Sequence, residues 1–170
     1  MAPADRPLPL GSEMRFMADA MLERLAAWLR ILGFDTALDR TLSDEALVQQ
    51  AIQQQRVILT RDRRLTEEWR VSGLHFVAET APLAQLREVS RRFDLAGHAR
   101  PFTRCSRCNT VLDPASKRDV RAAVPPRAYA SHSMFLRCPT CQRVYWPGAH
   151  TRRMRRTLRD TLARLGWPGE

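Results

Sequence analysis

Two Cys-x-x-Cys pairs limit what the second half of this chain can fold into more than any other feature of the sequence. Cys105 and Cys108 form the first pair, Cys138 and Cys141 form the second, and 29 residues separate the two pairs. Four thiolates from two such turns can occupy the corners of a tetrahedron, the geometry that structural Zn²⁺ prefers. We therefore expect a structural zinc site that staples a small module, with a long insertion between its halves. A redox-active pair or four free thiols are the alternatives.

Charge divides the chain into two parts. Residues 1–100 carry fourteen arginines against fourteen Asp and Glu residues, so residues 101–170 hold the whole net charge of +10. A basic module favours a polyanionic partner, and nucleic acid is the one we expect. The alternative is that these arginines only keep a small module soluble. Because no stretch approaches the roughly 18 apolar residues of a membrane span, we expect a cytoplasmic protein, in which cysteines stay reduced.

Short apolar runs alternate with helical periodicity through about residue 96. We expect strands near residues 14–18, 36–38, 56–60 and 74–77. We expect helices near residues 20–32, 44–54, 65–69 and 82–93. Strands separated by helices favour a parallel sheet that helices cover on both faces, which is an α/β fold.

Acidic residues follow the expected strands. In chain order they are Asp19, Asp39, Asp62 and Glu79, while Asp44 and Glu45 open the second helix. Ligands of parallel sheets collect beyond the carboxyl ends of the strands, where we expect these carboxylates to meet. Their mutual repulsion would be relieved by Mg²⁺ or Mn²⁺, which suit phosphodiester chemistry.

The aspartates allow two alternatives to a metal site. Asp is a preferred N-cap residue, and Asp19, Asp44 and Asp62 all lie at the starts of expected helices. Receiver domains of response regulators also place an aspartate after the third strand, as a phosphoacceptor, but they need a lysine after a later strand. The single lysine, Lys117, lies in the basic half of this chain, which speaks against a receiver domain.

The last segment has the pattern of an amphipathic helix. Its apolar stripe consists of Met154, Leu158, Leu162 and Leu165. Its arginines fall largely outside the stripe, so we expect the helix to dock by the stripe and present a basic surface. A helix lying on a membrane surface would give a similar pattern.

Aromatic residues follow the second cysteine pair. Tyr145 and Trp146 lie beside Arg143 and close to His150. Exposed aromatic rings next to arginines could stack on unpaired bases. Both rings could instead cover the small core of the cysteine module.

Taken together, these segments resemble the Mut-seven C-terminal ribonuclease family. The resemblance rests on FMADAMLERLAAWLRILGFDT, LSDEALVQQA, RVILTRDRRL, FTRCSRCN and FLRCPTCQRVYWPGAH, in this order between about Met14 and His150. It implies a PIN-like nuclease domain with three layers, α/β/α, around a parallel sheet, followed by a small zinc ribbon with four cysteine ligands. We expect a disordered tail at 1–13, the PIN-like domain at 14–99, the ribbon at 100–150 and a basic amphipathic helix at 151–170.

The resemblance also implies an acidic cluster that binds Mg²⁺ or Mn²⁺ and cleaves RNA, which we expect to be single-stranded. Asp19, Asp44 and Asp62 match the family's acids, and Asp39, Glu45 and Glu79 are additional candidates. The candidates for holding RNA are Arg24, Arg30, Arg61, Arg63, Arg143, Tyr145, Trp146, His150, Arg152 and Arg153. The alternative functions are a catalytically inactive RNA-binding adaptor and the toxin of a toxin–antitoxin pair.

Overall fold

Four short apolar segments form a parallel sheet in the computed structural model, which describes residues 14–166. The strands are β1 (Arg15–Ala18), β2 (Asp35–Ala37), β3 (Val57–Thr60) and β4 (Leu74–Phe76), and their order in the sheet is β2-β1-β3-β4. All three strand pairs are parallel, as predicted. The expected tail at residues 1–13 lies outside the described residues.

Four helices cover the two faces of this sheet. They are α1 (Glu23–Ile31), α2 (Asp44–Gln53), α3 (Arg63–Glu68) and α4 (Pro82–Arg92). Successive side chains of a strand point to opposite faces, so Phe16 packs with α1 and α4 while Met17 packs with α2 and α3. The predicted three-layer α/β/α architecture is therefore confirmed.

The first helix begins later than the sequence pattern predicts. Residues Ala20–Leu22 form a 3-10 turn, which the Leu22 amide closes by donating to the Asp19 carbonyl at 2.8 Å. A 3-10 turn is a frequent way to begin an α-helix. It keeps Asp19 at the end of β1, outside the helix proper.

The strand order creates a crevice of the kind in which α/β sheets commonly bind ligands. From β1 the chain moves to β2 on one side and then returns to β3 on the other side of β1. The direction of winding therefore changes between β1 and β3. The crevice beyond the carboxyl ends of these two strands is the position where open α/β sheets bind their ligands.

A small antiparallel sheet follows. Its strands are β5 (Asp113–Ala115), β6 (Phe135–Arg137) and β7 (Val144–Tyr145), paired in that order. The expected insertion between the cysteine pairs contains α5 (Lys117–Val120) and α6 (Pro126–Ser131). A core of its own, built around Val120, Val124 and Phe135, supports this insertion.

The last helix, α7 (Ala149–Leu162), packs on the first domain. Leu158 and Leu162 are fully buried in the same core as β1 and α4, and Leu165 packs against that core. The predicted apolar stripe is confirmed for Leu158, Leu162 and Leu165. Because the parallel-sheet domain occupies the stripe, the helix cannot use it to lie on a membrane. Among residues 14–166, no helix is long and apolar enough to span a bilayer.

We expect Leu158→Ala to lower the free energy of unfolding by about 2–5 kcal/mol, the range for truncating a buried leucine. Denaturant unfolding, monitored by tryptophan fluorescence, measures this change. Met134→Ala is the matched control, because Met134 is 72% exposed. Equal, small effects of both substitutions would contradict the docking of α7 in the first core.

Candidate functional site

Asp19 and Asp62 follow the carboxyl ends of β1 and β3, and the Thr60 side chain forms hydrogen bonds with both residues. The Thr60 hydroxyl donates to Asp19 Oδ2 at 2.9 Å and accepts from the Asp62 amide at 2.9 Å. The Asp19 amide donates to the Leu59 carbonyl at 2.9 Å, which fixes Asp19 through its backbone as well. Thr60 is fully buried and was not among the predicted site residues. The available signal was a hydroxyl two residues before Asp62, at the end of a buried strand.

Helix capping accounts for one of the three aspartates. The Asp62 carboxylate accepts from the Arg64 amide at 2.8 Å and caps α3. Ser43, not Asp44, caps α2, and Asp44 is the first residue inside that helix. Asp19 precedes the 3-10 turn, but its side chain accepts no capping hydrogen bond there. The capping alternative is confirmed for Asp62 and wrong for Asp19 and Asp44.

The remaining acidic candidates are exposed. Asp39 Oδ1 accepts from the Thr41 hydroxyl at 2.6 Å and from the Thr41 amide at 2.8 Å. These bonds, the side-chain one foremost, lower the pKa of Asp39. Glu45 accepts from the Gln49 side chain at 3.1 Å. With Asp44 and Glu79, these residues remain predictions as metal ligands.

The segment 77–80, just beyond β4, is held by three side chains. Arg61 Nη1 donates to three consecutive carbonyls of this segment. Gln85 donates to two of its carbonyls, and the Glu88 carboxylate accepts from two of its amides. Arg61 therefore holds backbone through Nη1, and its role in holding RNA stays a prediction. The segment it holds carries Glu79 at the edge of the sheet where Asp19 lies.

Within residues 14–166, one group of three or more acidic, Cys or His side chains is positioned to share a metal ion. This group consists of the four cysteines. The carboxylates of Asp19, Asp44 and Asp62 do not form a second such group. Mg²⁺ keeps several waters and is commonly bound through one or two carboxylates together with substrate phosphates. Carboxylate oxygens of the kind that Asp19 and Asp62 offer suit such an ion, and their role as its ligands remains a prediction.

The cysteine Sγ atoms fit a zinc ion. All four lie within 4.8 Å of one another, and those of Cys105 and Cys141 are 3.8 Å apart. A tetrahedron with Zn–S bonds of about 2.3 Å has S–S edges of about 3.8 Å. The donor set and its spacing therefore match a closed, structural site.

The two cysteine turns have the same backbone geometry. In each, the amide of the second cysteine donates to the Sγ of the first, at 3.3 Å and 3.5 Å. The residues that follow, Asn109 and Gln142, adopt φ values of +66° and +60°. Both donate their amides to the carbonyl of the first cysteine at 2.9 Å. This repeated geometry presents two thiols per turn on the same side.

The two cysteines of the first turn have pKa values shifted in opposite directions. Burial raises the pKa of Cys105, but hydrogen bonds from Tyr145 and from backbone amides outweigh it and lower this pKa to about 6. Burial and the neighbouring thiols of Cys141 and Cys105 raise the pKa of Cys108 to about 12. A cation that accepts thiolate ligands would neutralise the charge that this cluster holds.

Tyr145 and Trp146 contribute to the cores of the cysteine module. The Tyr145 hydroxyl lies 3.1 Å from Cys105 Sγ, and its ring packs against the cysteine cluster. Trp146 packs against the core of the insertion. Both side chains are half-buried. These contacts support the core-covering alternative over base stacking.

The first cysteine turn is bonded to the parallel-sheet domain. The Asn109 side chain donates to Asp35 at 2.7 Å and accepts from the Thr36 amide at 2.9 Å. Arg30 is buried and donates to the Thr36 carbonyl and to the carbonyls of residues 106 and 107. These contacts make Arg30 a link between the domains and lend no support to its predicted role in holding RNA. Asn109 was missed, because only the fold brings it to β2.

Asp35 is the acidic centre of this interface. Arg56 contacts its carboxylate at 2.7 Å, and Arg15 lies 3.5 Å from it. Burial raises the pKa of Asp35, but hydrogen bonds from Arg56 and Asn109 outweigh it and lower the pKa overall. The stabilisation from Asp35 is thus present at neutral pH and is lost as the pH falls through the lowered pKa.

The interface and the acidic site lie at opposite edges of the sheet. Asp35 is the first residue of β2, whereas Asp19 and Asp62 follow the carboxyl ends of β1 and β3. Four strand residues at about 3.3 Å each span about 13 Å. The first cysteine turn therefore supports the sheet from the edge remote from the aspartates.

The other predicted RNA contacts are on the surface. Arg24, Arg63, Arg143, His150, Arg152 and Arg153 are exposed. Arg63 lies over the Phe76 ring, 5.1 Å from its centroid. Their role in binding RNA stays a prediction.

The fold and the cysteine site define an α/β domain with a parallel sheet, joined to a small antiparallel module whose four cysteines suit structural zinc. Residues 14–158 match the model of the Mut7-C RNAse domain, and the chain belongs to this family. The family implies a ribonuclease that acts on RNA, and the predicted resemblance is confirmed. No curated protein and no solved structure was found to match.

We expect the purified protein to contain one zinc ion per chain, because four thiols close its coordination shell. Cys138→Ser should lower zinc affinity and Tm, since metal binding stabilises the fold of such a module. Elemental analysis and a competing chelator measure this loss. His150→Ala is the control and should retain zinc, so zinc loss in that variant would contradict a site made of four cysteines.

We expect Asn109→Gly to lower the free energy of unfolding by about 1–3 kcal/mol, because the buried Thr36 amide loses its acceptor. Glycine adopts the positive φ of this position freely, so this variant isolates the side chain. Asn109→Ala should cost about 1–2 kcal/mol more, the penalty for a left-handed backbone. Denaturant unfolding of the zinc-loaded protein measures both. An unchanged stability of the glycine variant would contradict the interface.

Proposed function

We propose that this protein is a divalent-metal-dependent ribonuclease that cleaves RNA phosphodiester bonds at Asp19 and Asp62. The observation that carries the proposal is the Asp19 carboxylate. It is half-buried at the switch point of the sheet, caps no helix, and accepts a hydrogen bond from Thr60. Because helix capping does not account for a carboxylate placed in this way, we assign it to metal binding.

Each residue has a defined task in this proposal. Asp19 and Asp62 would hold Mg²⁺ or Mn²⁺, with Asp44 or Glu79 as further oxygen donors. A bound metal of this kind activates water and neutralises charge on the attacked phosphate. Thr60 keeps the two aspartates in register, because one hydroxyl contacts both residues. Precise placement of ligands is what such a site requires.

The basic surface has a separate task. Arg143 of the ribbon and the exposed arginines of α7 would hold the RNA backbone through charge, without reading its sequence. Tyr145 and Trp146 are packed in the cysteine module. We therefore propose that RNA affinity comes chiefly from arginines and decreases steeply with salt.

We expect Asp19→Asn and Asp62→Asn each to reduce cleavage of labelled single-stranded RNA by at least about 100-fold, given that metal-bound charge stabilisation is worth several kcal/mol. The assay compares added Mg²⁺, added Mn²⁺ and no added metal. Asp113→Asn, an exposed residue of β5, is the control and should keep full activity. Thr60→Val should reduce the rate while RNA affinity is unchanged.

The main alternative is an RNA-binding adaptor without activity. The observation that favours it is that the three aspartates do not form a three-residue group in the described part of the chain. The same assay separates the two functions. Salt-sensitive RNA binding without metal-dependent cleavage, in a zinc-loaded preparation, would sink the nuclease proposal and support the adaptor.

A further inference from the structure

Two helices from different parts of the chain pack side by side on one face of the sheet. Helix α7 contacts α4, and both bury their apolar residues in the same core. Leu86 and Val89 contribute from α4, and Leu158 and Leu162 contribute from α7. Because the inner faces share one core, the outer faces adjoin on the surface.

These outer faces are rich in arginine. Helix α4 carries three arginines against Glu88, and α7 carries five arginines against Asp160. The exposed arginines are Arg87, Arg91, Arg92, Arg152, Arg153, Arg155, Arg156 and Arg159. Glu88 is bonded to the 77–80 segment and to His75. With these eight arginines, Glu88 and Asp160 counted, the two helices together have a formal charge of +6.

Two of the arginines are fixed on aromatic rings. Arg92 lies 5.3 Å from the centroid of Phe93, and Arg155 lies 4.7 Å from the centroid of Phe102. Such contacts restrict the positions of the guanidinium groups. On α4, the exposed Arg87 and Arg91 lie one helical turn apart.

We propose that the exposed faces of α4 and α7 form one arginine surface that binds the sugar–phosphate backbone of single-stranded RNA. This inference rests on the proposed function, since it names the surface that holds the substrate. The charge of the surface suits a polyanion. RNA is favoured over a membrane, because the apolar stripe of α7 is buried against the sheet domain and cannot insert into lipid.

The position of α4 connects this surface to the acidic edge. The helix begins at Pro82, directly after the 77–80 segment that Arg61, Gln85 and Glu88 hold beyond the end of β4. Its eleven residues extend about 16 Å at 1.5 Å per residue. A strand of RNA lying along α4 would therefore run from the acidic edge of the sheet over the same face that α7 covers.

The test is RNA affinity in the zinc-loaded full chain, without added Mg²⁺ or Mn²⁺, so that binding is measured apart from cleavage. Arg87→Gln/Arg91→Gln removes charge from α4, and Arg153→Gln/Arg156→Gln removes it from α7. The matched control is Arg118→Gln/Arg121→Gln, which removes the same charge from exposed positions of the insertion. Fluorescence anisotropy with a labelled single-stranded RNA gives the affinity between about 50 and 200 mM salt.

Each lost phosphate contact should weaken affinity about 5-fold at 0.1 M salt and reduce the salt slope by about 0.7, from the single-strand coefficient. We therefore expect losses of about 5- to 25-fold for each helix variant and a smaller loss for the control. Equal losses in all three variants would show general charge attraction and overturn the inference. Unchanged affinity in either helix variant, absent binding by the unmodified protein, or binding of anionic phosphatidylserine vesicles in preference to RNA would also overturn it.

The two proposals can fail separately. Binding that depends on the helix arginines, without metal-dependent cleavage, would support the arginine surface and contradict the nuclease proposal. Cleavage that requires Asp19 and Asp62 but is independent of the helix arginines would do the opposite. Thermal unfolding of each variant verifies that the exposed substitutions leave the fold unchanged.

Discussion

Hydrogen bonds between the first cysteine turn and the amino edge of the sheet hold the two halves of the molecule together. The turn leaves Asn109 with a φ of +66°, directly after Cys108. In this conformation its side chain reaches both Asp35 and Thr36. Since one side of the interface belongs to the cysteine site and the other to β2, the geometry of the cysteine site and that of the sheet depend on each other. Disturbing either removes partners from a partly buried carboxylate, which is costly.

The acidic residues at the two edges of the parallel sheet have different surroundings. At the amino edge, Asp35 is neutralised by Arg56 and satisfied by Asn109, so its charge serves stability. At the carboxyl edge, Asp19 receives one hydrogen bond from Thr60 and has no arginine within ion-pair distance among the described residues. A carboxylate left without a cationic partner retains its capacity for a metal ion. This contrast separates Asp35, an acid that stabilises the fold, from Asp19, the acid for which we propose a function.

The elements and their order could be predicted from the sequence, because apolar periodicity is a local property. Asp19 and Asp62 could be placed at one edge, since parallel strands end there. Thr60 could not be assigned, because its hydroxyl meets a residue 41 positions earlier in the chain. The capping alternative for Asp44 was wrong, because Ser and Asp are both good caps and only geometry selects Ser43. Contacts between distant segments, such as Asn109 with Asp35, leave no periodic signal.

Residues 1–100 have a net charge of zero, but their charged side chains are not evenly distributed in the structure. Two acids of this half, Asp19 and Asp62, lie beyond the ends of β1 and β3, whereas three of its arginines lie on α4. Packing of α7 then extends the α4 arginines with those of the basic half. The result is a charge separation across one domain. The carboxylates at the edge are the proposed site of a cation, and the arginines along the adjoining face are the proposed site of a polyanion. A nuclease needs both, because its metal and its substrate carry opposite charges.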